Sequence, residues 1–510
     1  MKPTNVLKII LSCFSVLTIL MIIFPKDGIK ISENLTLNFI TLKEFLSSKS
    51  KVDISGILDK NNVDDDTLTF EASKLLDSAY IDSVLVYYEP IPIYVDSTTQ
   101  FIEFPVGADS LLNSIFSILA NIKNTNDLIR ILHYGDSQIE VDRMTSYIRY
   151  KLQSEFGGSG PGFQSTVPAF DFQQPMVQSS SSNWFRYTVF PEKDSIIYHK
   201  RFGILGNFCM FSPFIPLDTI LADSIDYNIL SLSNNSEKNK IKYDAWLNFE
   251  HSPIVYSNVR IFSQCKMFYG YNTKKIKLKV TTGENIISDE ELSSTDKLTI
   301  KSWNFIETPE NLKFEFSGTE SPEIYGFTFD GLRGVAVDNI PLRGSSGTIF
   351  GQMDLAMLQQ MYNLLNVKLL ILQFGGNRVT FSTENISTYK NIFKYQLNLL
   401  HQIVPDIPII VIGPGDMSEK VKDSYVTHSN LLLVRNAVRE AALETNCAFW
   451  DMYEAMGGEN SMPSWVFADP PLAEKDFIHF NPNGAKIIGK MFYNAFIFEY
   501  NRYLQKVKKH

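Results

Sequence analysis

Three side chains far apart in the chain have the types that nucleophilic acyl chemistry requires. Ser137 closes the run Ile131-Leu132-His133-Tyr134-Gly135-Asp136-Ser137. A serine hydroxyl is inert near neutral pH and needs a general base, a group that orients the base, and donors for the oxyanion. His479, in Asp476-Phe477-Ile478-His479, is the candidate base. Asp476 can fix its tautomer and stabilise the imidazolium from the same loop. Asn377, in Phe374-Gly375-Gly376-Asn377, offers a side-chain amide to a developing oxyanion beside glycines that permit close approach. Asp416, after Gly413-Pro414-Gly415, is the alternative carboxylate. Taken singly, Ser137 reads as a helix cap, Asn377 as a turn residue and His479 as structural; those readings leave the joint occurrence of all three unexplained. His133 reads as a packing or supporting residue, and Asp142 with Arg143 as organisers of the next helix or a surface salt bridge.

These groups need elements to position them. The apolar run before Ser137, followed by helical spacing of Met144, Ile148, Leu152 and Phe156, predicts a buried strand that delivers the serine to the start of a helix. Helix N-terminal amides would then lie near the developing charge. Val335 to Ile340, Val367 to Phe374 and Ile407 to Ile412 are bounded apolar runs suited to parallel strands. Met353 to Leu365, the stretches near Lys390 to Ile403 and Leu431 to Thr445, and a last helix from Ala485 to about Tyr503 can cover them. Between 190 and 330 the period changes to two, as in Ile276/Leu278/Val280, Leu312/Phe314/Phe316 and Tyr325/Phe327/Phe329, which predicts a β-sandwich or jelly roll. Trp246 and Trp303 within it, and Trp184 just before it, are candidate sugar-facing aromatics, against a core role for each. The run Gly157 to Gly162 lacks the lysine and spacing of a phosphate-binding loop.

Gly135-Asp136-Ser137, Gly375-Gly376-Asn377 and Asp476-x-x-His479 resemble, in order, the sequence blocks of the SGNH or GDSL-like hydrolases. Gly344, in Pro341-Leu342-Arg343-Gly344-Ser345-Ser346-Gly347, looks like that family's oxyanion glycine, with Gly347 as a rival. The resemblance implies Ser137 as nucleophile, His479 as base, Asp476 as its partner, and Gly344 with Asn377 as oxyanion donors beside the Ser137 amide. It implies an α/β, three-layer fold around a flavodoxin-like parallel sheet and a reaction without metal or other cofactor. A β-rich stretch between the serine and glycine blocks resembles the peptidoglycan O-acetylesterase branch, whose inserted module is related to carbohydrate-binding domains. The expected division is a signal peptide or membrane anchor at 1–30, a spacer or small cap at 31–105, the hydrolase domain at 106–189 and 331–510, and the inserted domain at 190–330. The expected activity is a serine esterase that removes O-acetyl groups from an extracytoplasmic polysaccharide, peptidoglycan first, through an acetyl-serine. A glycan O-acetyltransferase with the same residues and a non-catalytic anchored glycan-binding protein are the alternatives.

Composition bounds these expectations. With 510 residues, 44% hydrophobic and 20% charged, the chain fits two or three globular units. A net charge of -9 disfavours nucleic acid as a partner. Lys2 and Lys8 precede the apolar segment Ile9 to Phe24, which reads as a signal-peptide core or an uncleaved transmembrane anchor. Both readings place the rest of the chain outside the cytoplasm, in a periplasm. Cys13, Cys209, Cys265 and Cys447 match no zinc spacing; buried thiols are favoured over a Cys209–Cys265 bridge.

Overall fold

The computed structural model describes residues 3–23, 29–32, 35–37, 52–61, 90–93, 99–169, 175–191, 193–214, 241–381 and 385–508. Residues 62–89, part of the expected spacer or small cap at 31–105, lie outside them. The chain divides into two units, Met1–Asp53 and Ile54–His510. The first holds a helix, Pro3–Ile23, and an antiparallel pair, Ile29–Ser32 with Leu35–Leu37. Among the described residues no helix is long and apolar enough to cross a membrane, which corrects the expected transmembrane anchor. Lys8 sits exposed within the helix. The apolar stretch after it, Ile9 to Ile23, gives roughly 22 Å at about 1.5 Å per residue, against a hydrocarbon core of about 30 Å.

The second unit is built on a five-stranded, wholly parallel sheet. In chain order its strands are β1 (Leu128–Gly135), β2 (Gly334–Pro341), β3 (Val367–Gln373), β4 (Ile409–Ile412) and β5 (Ala448–Trp450). In space they run β2-β1-β3-β4-β5. Five helices flank it: α1 (Arg143–Phe156), α2 (Leu355–Leu364), α3 (Ile386–Ile403), α4 (Leu431–Glu444) and α5 (Pro482–Val507). Side-chain alternation explains the layering. Leu132 and Tyr134 of β1, Leu370 and Leu372 of β3, and Ile409 and Val411 of β4 share one core with Leu358 of α2, Leu397 of α3 and Val438 of α4. α1 instead packs against α5 and β2. α5 starts where Pro482 occupies its first turn and the Asn481 side chain accepts the Gly484 amide at 3.1 Å.

Between α1 and β2 the chain forms two antiparallel sheets. One runs, in spatial order, Asn285–Leu292, Ile276–Thr282, Asn311–Gly318, Tyr243–His251, Met176–Ser180. The other runs Thr299–Asn304, Gln264–Gly270, Glu323–Asp330, Asn207–Met210, Phe185–Thr188, with Gly162–Gln164 beside Glu323–Asp330. Their inner faces share a core of Leu247, Phe249, Met267, Leu278, Phe314 and Phe327, so this is a β-sandwich. Trp303 is 6% exposed within that core and its indole donates to the Ser288 hydroxyl at 3.0 Å, so it is not a sugar-facing residue. Trp184 also packs there, edge-on to Phe211 and Phe316. Trp246 lies half-buried with the Lys313 ammonium 5.8 Å from its ring centre. Cys209, Cys265 and Cys447 are free and buried. The sandwich is tied to the parallel sheet by Arg130 of β1, which bridges Asp330 and Asp338 at 2.5 Å each with all three groups buried.

Candidate active site

Ser137 lies just beyond β1, at the carboxyl edge where parallel sheets present their reactive loops. Its hydroxyl is 2.8 Å from Nε2 of His479, and Nδ1 of His479 is 2.7 Å from an Asp476 carboxylate oxygen. The other Asp476 oxygen accepts the amides of Ile478 and His479 at 2.9 and 3.0 Å. Burial acts to raise the Asp476 carboxyl, but the imidazole and these amides outweigh it and hold it down at about 2. The group is therefore anionic throughout the neutral range, as an imidazole-orienting carboxylate must be.

The serine and histidine loops are clamped together by Gln138, whose side-chain amide donates to the Ile478 carbonyl at 2.5 Å. Arg143 donates to the Ser137 carbonyl at 2.6 Å. Both fix the approach of Ser137 to His479, and neither was assigned such a part from sequence. The only sequence signal was the position of Gln138 directly after the serine.

The serine is not at the start of α1. A short 3-10 turn, Glu140–Asp142, intervenes, with Val141 and Asp142 at φ of 52° and 63°, and α1 begins at Arg143. Asp142 turns inward to pair with Arg149. Any oxyanion donors must therefore come from loops. The Ser137 and Gly344 amides form no hydrogen bond among the described residues, whereas the Gly347 amide is taken by the Ser345 hydroxyl at 3.1 Å. Gly344 has φ +80 and is exposed; Gly347 is pressed against the Phe374 and Phe393 rings. Of the two glycines, Gly344 is the one with an amide free to face a ligand. Asn377 sits in the short turn Gly376–Val379 after β3, where its amide donates to the Ser345 carbonyl at 3.1 Å and bears on Asp136.

Asp136 is buried beside the serine. Desolvation raises its carboxyl to about 6, against the Gln138 amide, His479 and Asn377, which favour the charged form. Asp416 is remote from this chemistry in its bonding: it accepts the Met462 amide at 2.8 Å and the Thr427 hydroxyl at 2.7 Å, and so braces a loop. His133 is wholly buried between Gln373 and Thr145, at 3.1 and 2.9 Å. Burial lowers it to about 3, so it stays neutral and joins β1, β3 and α1. Among the described residues no cluster of His, Cys, Asp and Glu could hold a metal ion.

Residues 323–487 match the GDSL-like Lipase/Acylhydrolase family, a span that contains Gly344, Asn377, Asp476 and His479 but not Ser137, which the sandwich separates from them in sequence. A solved structure described as a peptidoglycan O-acetylesterase in action superimposes with a TM-score of 0.55 at 16% identity, over 77% of this chain and 95% of that one. A family two carbohydrate esterase from Clostridium thermocellum in complex with cellohexaose gives a TM-score of 0.22 at 9% identity, over 49% of this chain and 90% of that one. No curated protein sequence matches the chain. The first superposition, over more than three quarters of the chain, shows a shared fold. Residues 323–487 thus match the GDSL-like family over about a third of the chain, and the β2-β1-β3-β4-β5 sheet carries the matched residues Gly344, Asn377, Asp476 and His479 on its loops.

Proposed function

We propose that the protein is a serine esterase that removes O-acetyl groups from an extracytoplasmic glycan, with peptidoglycan as the leading substrate. One observation carries the reading: the continuous chain from the Ser137 hydroxyl through both His479 ring nitrogens to Asp476, with contacts of 2.8 and 2.7 Å. In this mechanism Ser137 Oγ attacks the acetyl carbonyl as His479 Nε2 takes its proton. Asp476 holds the Nδ1 proton and stabilises the imidazolium. The Ser137 and Gly344 amides and the Asn377 side chain receive the oxyanion. His479 then protonates the departing sugar oxygen, and in the second half activates water to hydrolyse acetyl-Ser137. The glycan preference draws on the structure described as a peptidoglycan O-acetylesterase, whose fold superimposes over 77% of this chain.

The covalent step is tested by mixing the full chain with 4-nitrophenyl acetate, quenching in acid and digesting. The account expects one acetyl group on the Ser137 hydroxyl, absent from Ser137→Ala. An acetyl group on another residue that persists in the variant would contradict it.

A further inference from the structure

The molecule has a second recognition element beside the reactive serine. A cleft of about 610 Å³ opens between the sandwich and the carboxyl end of β2. Its hydrolase wall includes Glu140, in the turn just after Ser137, and reaches Gly344, which offers the free amide described above. Its sandwich wall is mostly apolar, with Phe163 and Phe190 prominent, and from this wall the strand Phe185–Thr188 presents Arg186, which is exposed to the cleft.

The charges around the cleft are unequal in their partners. Asp142 is committed to Arg149 at 2.5 and 3.0 Å, and Glu140 faces Arg343 at 3.5 Å. Arg186 has neither a hydrogen bond nor a carboxylate partner among the described residues, and the one titratable group that bears on it is the buried Cys209 thiol. In a chain of net charge -9, a guanidinium left unpaired on an apolar wall is a specific feature. Its planar fork matches a carboxylate through two parallel hydrogen bonds. The apolar surroundings suit methyl and ring faces of a sugar.

We infer that this cleft binds a carboxylate of the acetylated glycan, carried on the sugar or on a peptide joined to it, through Arg186. The inference rests on the esterase reading and adds a charge requirement to it: the substrate is an acidic glycan, and neutral acetylated polysaccharides are poor substrates. The other guanidinium on the cleft, Arg343, faces Glu140 at 3.5 Å, so Arg186 is matched by one monoanion.

The test compares a substrate pair that differs in the ring carboxylate with a pair that differs in where the side-chain carboxylate is carried. Acetate release is measured from O-acetylated polygalacturonate and from its methyl ester, and from O-acetylated peptidoglycan with its peptides removed or intact. The wild type is expected to favour the free acid over its methyl ester by tenfold or more in kcat/KM, Arg186→Lys to keep part of that preference, and Arg186→Gln to abolish it. Discrimination confined to the polyuronate pair places the carboxylate on the sugar ring; discrimination confined to the peptidoglycan pair places it on the side chain or peptide. No preference in the wild type, or a preference that survives Arg186→Gln, overturns the inference. A binding arm separates this from the esterase reading: calorimetric titration of oligogalacturonate should give at least tenfold tighter binding than its methyl ester to wild type and Ser137→Ala alike, and no difference in Arg186→Gln. Equal affinities in the wild type, together with equal turnover of the two peptidoglycan substrates, would overturn the site even if the enzyme hydrolyses every ester offered.

Discussion

Asp136 and Asp476 flank one serine and are held in opposite ionisation regimes. Asp476, paired with an imidazole and two amides, sits at about 2. Asp136, buried, is raised from 3.8 to about 6. The signs for stability are therefore opposite. The contribution of Asp476 is present above about pH 4 and is lost as pH falls toward 2. For Asp136 the folded chain binds more protons than the unfolded one between about pH 4 and 6, so stability falls as pH rises through that window. Asp136→Asn removes the charge but keeps an oxygen for the Gln138 amide. Its stability relative to wild type should be higher at pH 7.5 than at pH 4 by about 2–3 kcal/mol, read from urea unfolding at both pH values; a difference that does not change with pH would show that Asp136 is not a buried anion. At this scale the sequence made the reactive types legible, since Ser137, His479, Asp476 and Asn377 have few other reasons to recur in that order. It did not reveal which glycine has a free amide, because Gly344 and Gly347 are separated only by the tertiary contacts of Ser345, Phe374 and Phe393. Nor did it reveal the Gln138 clamp, which depends on a carbonyl at Ile478.

At the scale of elements, a hairpin after β4, Ser418–Val421 with Ser424–Thr427, braces the histidine loop. Phe477 holds φ of 59°, a costly conformation for a bulky side chain of about 1–3 kcal/mol. It is kept there by stacking on Tyr425 at 3.5 Å, by Phe467 edge-on at 5.6 Å, and by the Ser418 amide on its carbonyl at 3.0 Å. Tyr425 is thus a positioning residue for Asp476 and His479. Tyr425→Ala should lower kcat for 4-nitrophenyl acetate about fivefold, as loss of roughly 1 kcal/mol of ring contact implies, with KM little changed; an unaltered kcat beside a lowered melting temperature would reduce Tyr425 to a packing role. Elements with a long apolar run, such as β1 and β3, were legible from sequence. β5, Ala448–Trp450, is too short to show a period, and Met176–Ser180 and Phe185–Thr188 are short strands completed by partners distant in sequence. α1 lies where its helical spacing put it, but Ser137 was expected at its start and is held apart from it by the turn Glu140–Asp142, where Val141 and Asp142 take left-handed conformations and Asp142 turns to Arg149.

At the scale of the molecule, a parallel sheet is interrupted in sequence between adjacent strands β1 and β2 without being interrupted in space. The sandwich contributes Phe163, Phe208, Phe268 and Tyr325 to the same core as Tyr134 and Tyr362 of the hydrolase layers. Arg130 between Asp330 and Asp338 fixes the return of the chain from sandwich to β2. Such a junction makes the sandwich a wall of the cleft that reaches Glu140 and Gly344, which change of period alone could not disclose; sequence showed that a β-rich segment was present, not what it packed against. The account as a whole turns on Ser137 acting on an acetylated glycan. The direct measurement is acetate release from O-acetylated peptidoglycan by the full chain and by Ser137→Ala. The account predicts steady release by the wild type and a loss on the order of 10⁴-fold or more in the variant. Equal release by both proteins, or none by a folded wild type, would contradict it.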